Sequence, residues 1–241
     1  FLLIKLNNIM KICLIGKNLT NFVLAKNLSN KNLDIDIIFE DKEGKKLSKR
    51  TLAISKENFN YLLKINNKMK ISAWPIKNIK IYSDKSNSKE LLEFKNKKKN
   101  IFYLIKYQEI FNSLLKIVRK NKYINLIKIQ KHKYESFDCV NKYSLIINSD
   151  SKSFLSKKYL INKIDKNYNS TAYTTIINHK KVKNNIAKQF FTKNGPLAFL
   201  PLSNTQTSIV FSYSGKNKLD NNKLIEIKKK FNSKYEIKSN A

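Results

Sequence analysis

The sequence predicts an α/β fold in which a Rossmann-like βαβ domain is interleaved with a second, mostly antiparallel, sheet-rich domain. Three observations predict it. Residues 11–40 read as a buried strand, a glycine turn, a helix and a second strand, the length of one βαβ unit. A strong amphipathic helix pattern follows at 107–120, with an apolar strand near 145. From residue 170 onward β-rich runs dominate. The expected division is 10–72 with 101–158 for the nucleotide-binding half, and 73–100 with 159–241 for the other.

At 241 residues and 28.3 kDa the chain suits one large or two small domains with a sizeable core. Apolar residues make up 41% and aromatics 11%, too many for a disordered chain. With 4 Gly and 3 Pro, collagen-like and Pro/Gly low-complexity classes are excluded. No apolar run reaches membrane-spanning length. Cys13 and Cys139 are too few for a disulfide framework or a four-ligand zinc site, so the expected setting is reducing and cytoplasmic.

The net charge is +32. Of the 49 basic residues only Arg50 and Arg119 are Arg, and the lysines are spread along the chain. Specific nucleic-acid recognition favours the arginine fork, so no specific nucleic-acid partner is expected. Lys, Ile and the 33 Asn share A/T-rich codons, which points to base composition as the cause. Such a surface still drifts toward anionic membranes at low salt.

Taken in order, residues 11–15 (KICLI) read as a buried strand, with Cys13 in the core. Residues 16–21 form a turn, and 22–28 (FVLAKNL) have helical spacing, with Ala25 small enough for close packing. Residues 34–40 (DIDIIFE) read as the second strand and 41–49 as a charged loop. The run 52–64 reads as a helix, with Phe59, Leu62 and Leu63 on one face. Residues 74–82 read as one strand, 83–88 as a turn, 91–94 as a returning strand and 95–100 as a solvated hairpin tip. In the 107–120 helix, Ile110, Leu114, Ile117 and Val118 share a face. Strands follow at 124–129, 131–137, 143–148, 171–178 and 209–213, and a lysine-rich helix at 219–231. His132 and His179 stand apart in Lys-rich settings and read as surface residues.

Four constellations could carry chemistry. Gly16, Lys17, Asn18, Leu19, Thr20 and Asn21 stand where G-x-G-x-x-G belongs, after a strand and opening a helix. Glu40 follows 24 positions later, where an acid binds ribose hydroxyls. Asn18 and Asn21 replace two glycines. Asn tolerates left-handed backbone angles, yet its side chain at position 18 crowds a pyrophosphate. A structural βαβ turn and a dinucleotide site both remain open on these residues alone. Arg50, retained in a lysine-rich chain, reads either as chance or as a forked phosphate contact. Asp150, at the carboxyl end of an apolar strand, reads as a turn-initiating Asp or as a contact to a cofactor hydroxyl. Pro196 and Pro201 bracket an apolar run, 195–202, that reads as an edge or pocket-lining strand. No Ser/His/Asp, HExxH, Walker or CxxC pattern is present.

Together and in this order, the pieces resemble the flavin-dependent aromatic hydroxylases of ubiquinone biosynthesis, relatives of p-hydroxybenzoate hydroxylase. That family opens with a strand, G-x-G-x-x-G and an acid, matching Gly16 to Glu40. An Arg with an A-L-S-like helix start matches Arg50 to Ser55, and a strand-to-helix segment matches Tyr103 through Leu114. A strand ending in A-D-G resembles Ser149, Asp150 and Ser151. Tyr168 to Ala172 and then His179 match the next segment. Phe191 and the run from Gly195 to Leu202 match F…G-P-L-A-x-L-P-L, the most specific piece.

The resemblance implies FAD in the first domain, with NAD(P)H or another donor supplying electrons and an activated aromatic ring hydroxylated with O₂. It implies cofactor contacts from Gly16, Asn18, Asn21, Glu40, Arg50, Gln108 and Asp150. It puts Gly195, Pro196, Leu197 and Ala198 on the substrate side, and assigns no side-chain acid or base. The implied substrate is an aromatic quinone precursor. A quinone-biosynthesis complex and peripheral contact with the inner membrane surface accompany it. Asn18, Asn21 and Ser151 depart from the family's glycines, and Ser156 stands near a family Arg. Family members continue to a G-D motif that is absent before Ala241. The chain is therefore expected to be a piece of a longer reading frame, poorly active alone. The alternative is a reduced, non-catalytic homologue acting as an interaction subunit. Phe1 fits the first of these, or translation starts at Met10.

Overall fold

A computed structural model describes residues 10–29, 31, 33–40, 50–65, 72–84, 90–96, 99–130, 142–151, 153–159, 164, 166–215, 219–232 and 234–240. The expected loop at 41–49, the expected strand at 131–137, His132 and Cys139 lie outside these residues. The chain begins with β1 (Lys11–Ile15), α1 (Leu19–Ser29), β2 (Asp34–Glu40), β3 (Thr51–Ser55) and α2 (Lys56–Ile65). Then come β4 (Trp74–Ile76), β5 (Asn78–Ser83), β6 (Glu90–Lys95), β7 (Phe102–Lys106) and α3 (Tyr107–Arg119). Next are β8 (Ile124–Ile129), β9 (Leu145–Asn148), α4 (Phe154–Tyr159), β10 (Ser170–His179) and β11 (Ile186–Thr192). The last are β12 (Gly195–Pro201), β13 (Gln206–Ser214), α5 (Asn221–Phe231) and β14 (Ile237–Asn240).

Two compact units result. The first holds residues 1–47, 62–70 and 110–164, the second 48–61, 71–109 and 165–241. Residues 48–61 and 101–109, expected with the nucleotide-binding half, thus fall in the second unit.

The first unit is built on a parallel sheet of order β8-β2-β1-β9. Ile12, Cys13, Leu14 and Ile15 are all buried, as a strand covered on both faces requires. Cys13, Ile15 and Ile38 pack with Ile146, Phe154 and Leu155 on one face. α1 contacts β1, β2 and β8, and its Phe22 ring lies 5.2 Å from that of Phe111 in α3. Ile110, Phe111, Leu114 and Val118 form the buried stripe of α3; of the expected face Ile117 is only half-buried, and Phe111 joins in its place.

The second unit holds two sheets. One has the order β14-β10-β13-β12-β11-β5-β6, antiparallel except where β11 runs parallel to β5. The other has the order β3-β7-β4. Strand alternation sends Leu197, Phe199, Ile209 and Phe211 to one face of the large sheet, where Leu224, Ile227 and Phe231 of α5 cover them. Asp220 caps α5, its carboxylate accepting the Lys223 N–H at 2.8 Å.

The structure corrects five expectations. The helix expected at 52–64 starts at Lys56, because Thr51–Ser55 pairs with β7 as β3. Ser55 Oγ accepts the Asn58 N–H and so opens α2 as its cap. The single strand at 74–82 is two, divided at Lys77 between different sheets. The stretch after Lys95 links β6 of one sheet to β7 of the other, so it is no hairpin tip. β12 is interior, between β11 and β13, rather than an edge. Pro196 and Pro201 sit near its ends, where a missing N–H costs the ladder least. His179 is buried, only 2% exposed, with Nε2 3.0 Å from Thr207 Oγ1 and Nδ1 2.8 Å from the Lys180 carbonyl.

Candidate functional site

Strand order in the first sheet reverses between β1 and β9: the chain steps outward from β1 to β2 and β8, then returns to the other side of β1 with β9. In open parallel sheets the ligand crevice lies at that reversal, outside the carboxyl ends of the strands. The register puts Asn148 level with Ile15, so Ser149 and Asp150 stand beside the Gly16 turn. Ile15 pairs with Ile38, and β2 runs two residues further to Glu40. Gly16, Glu40, Ser149 and Asp150 thereby gather at one edge of one sheet.

Gly16 adopts φ +110°, a region that favours glycine. Its N–H donates to the Ile38 carbonyl at 2.8 Å, anchoring the turn to β2. Asn18 is the cap of α1. Its carbonyl accepts the Phe22 N–H at 3.1 Å, and its side-chain Oδ1 accepts the Asn21 N–H at 3.0 Å. Asn18 Nδ2 reaches across to β9 and donates to Ser149 Oγ at 2.8 Å and to the Ser149 carbonyl at 3.4 Å. Asn21 is fully buried, its Nδ2 donating to the carbonyls of Ile15 at 2.9 Å and Gly16 at 2.7 Å. Asn21 Oδ1 has no hydrogen-bond partner.

Beyond Asp150 the chain is held by side chains. Asn148 Nδ2 donates to Ser156 Oγ at 2.8 Å, and Ser153 Oγ donates to Asn148 Oδ1 at 3.0 Å. Ser156 Oγ donates to the Asp150 carbonyl at 3.0 Å. Asn148 and Ser153 are absent from the sequence-derived site, Ser149 enters it only as the first residue of the A-D-G-like run, and Ser156 only as a neighbour of a missing Arg. The Asn148-to-Ser156 spacing carries no motif, since the contacts depend on how the chain turns from β9 into α4. Lys17 Nζ lies 4.7 Å from the centre of the Phe39 ring.

In the second unit, the Arg50 guanidinium stacks on Tyr107, 4.1 Å from the ring centre, and the Arg50 carbonyl accepts the Tyr107 N–H at 3.0 Å. Gln108 follows on α3 and is exposed. Gly195, at φ +116°, closes the hairpin from β11, and its carbonyl accepts from Thr192 Oγ1 at 2.7 Å. A Cβ there would collide with the Ser212 carbonyl oxygen of β13. Alternation splits the remaining residues. Leu197 is fully buried in the core under α5, while Pro196 and Ala198 turn to the other face.

No protein-family model matches the sequence, and no curated protein matches it. Solved structures match by fold. The 2,6-dihydroxypyridine-3-hydroxylase from Arthrobacter nicotinovorans has a TM-score of 0.66 at 11% identity, covering 88% of this chain and 58% of its own. The p-nitrophenol 4-monooxygenase PnpA from Pseudomonas putida gives 0.70 at 11%, covering 97% of this chain and 67% of its own. CtdE, solved with FAD and a substrate, gives 0.70 at 10%, covering 92% and 63%. The chain has the fold these proteins share. It spans between 58% and 67% of their lengths.

The family resemblance implies FAD in this crevice. Its backbone fits a pyrophosphate: a glycine at positive φ comes first, then a helix whose leading amides, at Leu19 and Thr20, have no acceptor within the helix. Its side-chain layer is tight around Gly16. A Cβ placed on Gly16 would lie 3.0 Å from Asn18 Nδ2, 3.1 Å from Asp150 Cβ and 3.5 Å from Ser149 Oγ, so these groups pack closely against the glycine. Among the described residues, no cluster of His, Cys, Asp and Glu could hold a metal ion.

Proposed function

We propose that the chain carries the dinucleotide-binding and ring-binding parts of a flavin-dependent aromatic monooxygenase. One observation carries the reading: the parallel sheet reverses its order between β1 and β9, with the Gly16 turn at the reversal. The fold likeness to a hydroxylase and two further proteins, one of them solved with FAD, supports it.

In this reading the amides of Leu19 and Thr20 receive the pyrophosphate, and Glu40 accepts hydrogen bonds from the adenosine ribose. Asn18 and Asn21 shape the turn, and Asp150 takes a further cofactor hydroxyl. Arg50 and Gln108 are assigned as further cofactor contacts. Gly195, Pro196, Leu197 and Ala198 form the substrate-side strand, with Leu197 acting from the core. When bound and reduced, FAD supplies the activation of O₂ that side chains lack, with NAD(P)H or another donor as the electron source. The side chains bind and orient, and none is assigned as acid or base.

The finer proposal is hydroxylation of a quinone precursor in ubiquinone biosynthesis, within a quinone-biosynthesis complex. It rests on the ordered sequence resemblance. A polyprenylated precursor would draw the protein to the inner membrane surface, and the +32 charge suits such contact. Among the described residues no helix is long and apolar enough to cross a membrane.

The test is an FAD titration of the purified chain, followed by visible absorbance and flavin fluorescence. Saturable binding with a flavin band that travels with the protein is expected. A chain that takes up no flavin at saturating concentrations would sink the reading.

A further inference from the structure

We propose that Asn18 is a latch on the nucleotide crevice, and that a dinucleotide is admitted only when its side chain leaves Ser149. The inference rests on the FAD reading above. Asn18 spans the reversal between β1 and β9, joined to α1 through the Asn21 N–H and to β9 through Ser149 Oγ at 2.8 Å. Ser149 is itself held to β1, its N–H donating to the Ile15 carbonyl at 3.1 Å and its Oγ at 3.2 Å. The Asn18 amide is thus fixed at both ends, over the one glycine of the turn.

A glycine at position 18 would leave that space to the ligand. Asparagine fills it with a side chain tied to Ser149 and to the Asn21 N–H, leaving the Leu19 and Thr20 amides to a ligand. Binding therefore competes with the two hydrogen bonds from Asn18 Nδ2 to Ser149. A crevice open a tenth of the time weakens apparent affinity about tenfold. Asn18 is a positioning residue: it acts on affinity and takes no part in ring chemistry.

The experiment compares the wild-type chain with Asn18→Gly and Ser149→Ala by FAD titration, alongside ligand-free thermal melts. Asn18→Gly is expected to bind FAD about tenfold more tightly while melting at a slightly lower temperature, because the cap is lost. That opposition of affinity and stability is one a purely structural role would not produce. Ser149→Ala leaves the cap in place and is expected to tighten binding by a smaller factor, so it serves if Asn18→Gly fails to fold. If the wild type binds FAD and both variants bind equally or more weakly, the latch is overturned and the FAD reading stands. If only the variants bind, Asn18 blocks the crevice without ever opening it, so the latch is overturned and the FAD reading falls for the wild-type chain. If none binds, both fall.

Discussion

Asp36 lies in the middle of β2 and is 1% exposed, yet it is a carboxylate. Three partners hold it: Lys11 Nζ at 3.0 Å and Tyr143 OH at 2.8 Å on Oδ2, and Asn125 Nδ2 at 2.9 Å on Oδ1. A buried charge survives only with such company. Asp36→Asn keeps the shape but turns a donor toward these donors. Urea unfolding should show a loss of about 1–3 kcal/mol. An unchanged midpoint would mean the carboxylate is solvated. Lys188 has the opposite problem. Burial, and then the charge of Lys80 beside it, push its ammonium below the usual lysine range. Below the folded value both states are charged, and the folded state bears the full cost. Between that value and 10.5 the unfolded chain holds more protons, so stability rises with pH. Lys188→Met should therefore raise the melting temperature at pH 7, with a gain that shrinks as pH approaches the ordinary lysine range. A gain independent of pH would point to packing instead.

Gly195 shows how a turn sets a strand. It opens β12 at φ +116°, and the approach of β13 leaves no room for a Cβ. Gly195→Ala combines backbone strain with a backbone collision, so a loss of about 3 kcal/mol or more is expected, read as a lower midpoint in denaturant. A loss under about 1 kcal/mol would show that the hairpin can reshape. The strand was legible in the apolar run 195–202, but the hairpin that leads into it was not. The strand's interior place was not legible, because two prolines in seven residues are what an edge strand also shows. The 52–64 segment failed for a related reason. The apolar spacing of Phe59, Leu62 and Leu63 is helical, and that part is α2. The residues before it, Thr51–Ser55, are a strand only because β7 pairs with them from some fifty residues away.

The +32 charge belongs to the molecule as a body rather than to any site. Self-repulsion of that size opposes compaction and is screened by salt. Raising NaCl from low to moderate concentration should lift the thermal midpoint. A gain near 1 kcal/mol would read as roughly 2–4 °C for a chain of this length. A midpoint insensitive to salt would mean that the charges are already paired or well dispersed.

The βαβ opening, the buried strands, the amphipathic α3 and the β-rich second half follow from residue spacing alone. Period and burial are local properties, written in any window of about ten residues. The glycine of the turn and the acid at the end of β2 were legible for the same reason, since both hold fixed places in one continuous unit. Tertiary structure decided the rest. His179 reads as a surface residue in its lysine-rich stretch, but β14 and Thr207 enclose it. Ser149 opens the A-D-G-like run, yet nothing local marks it as the partner of Asn18, a residue 131 positions away. Such pairings depend on which strands end side by side, and strand order is settled by the packing of the complete sheet, where no local window can see it.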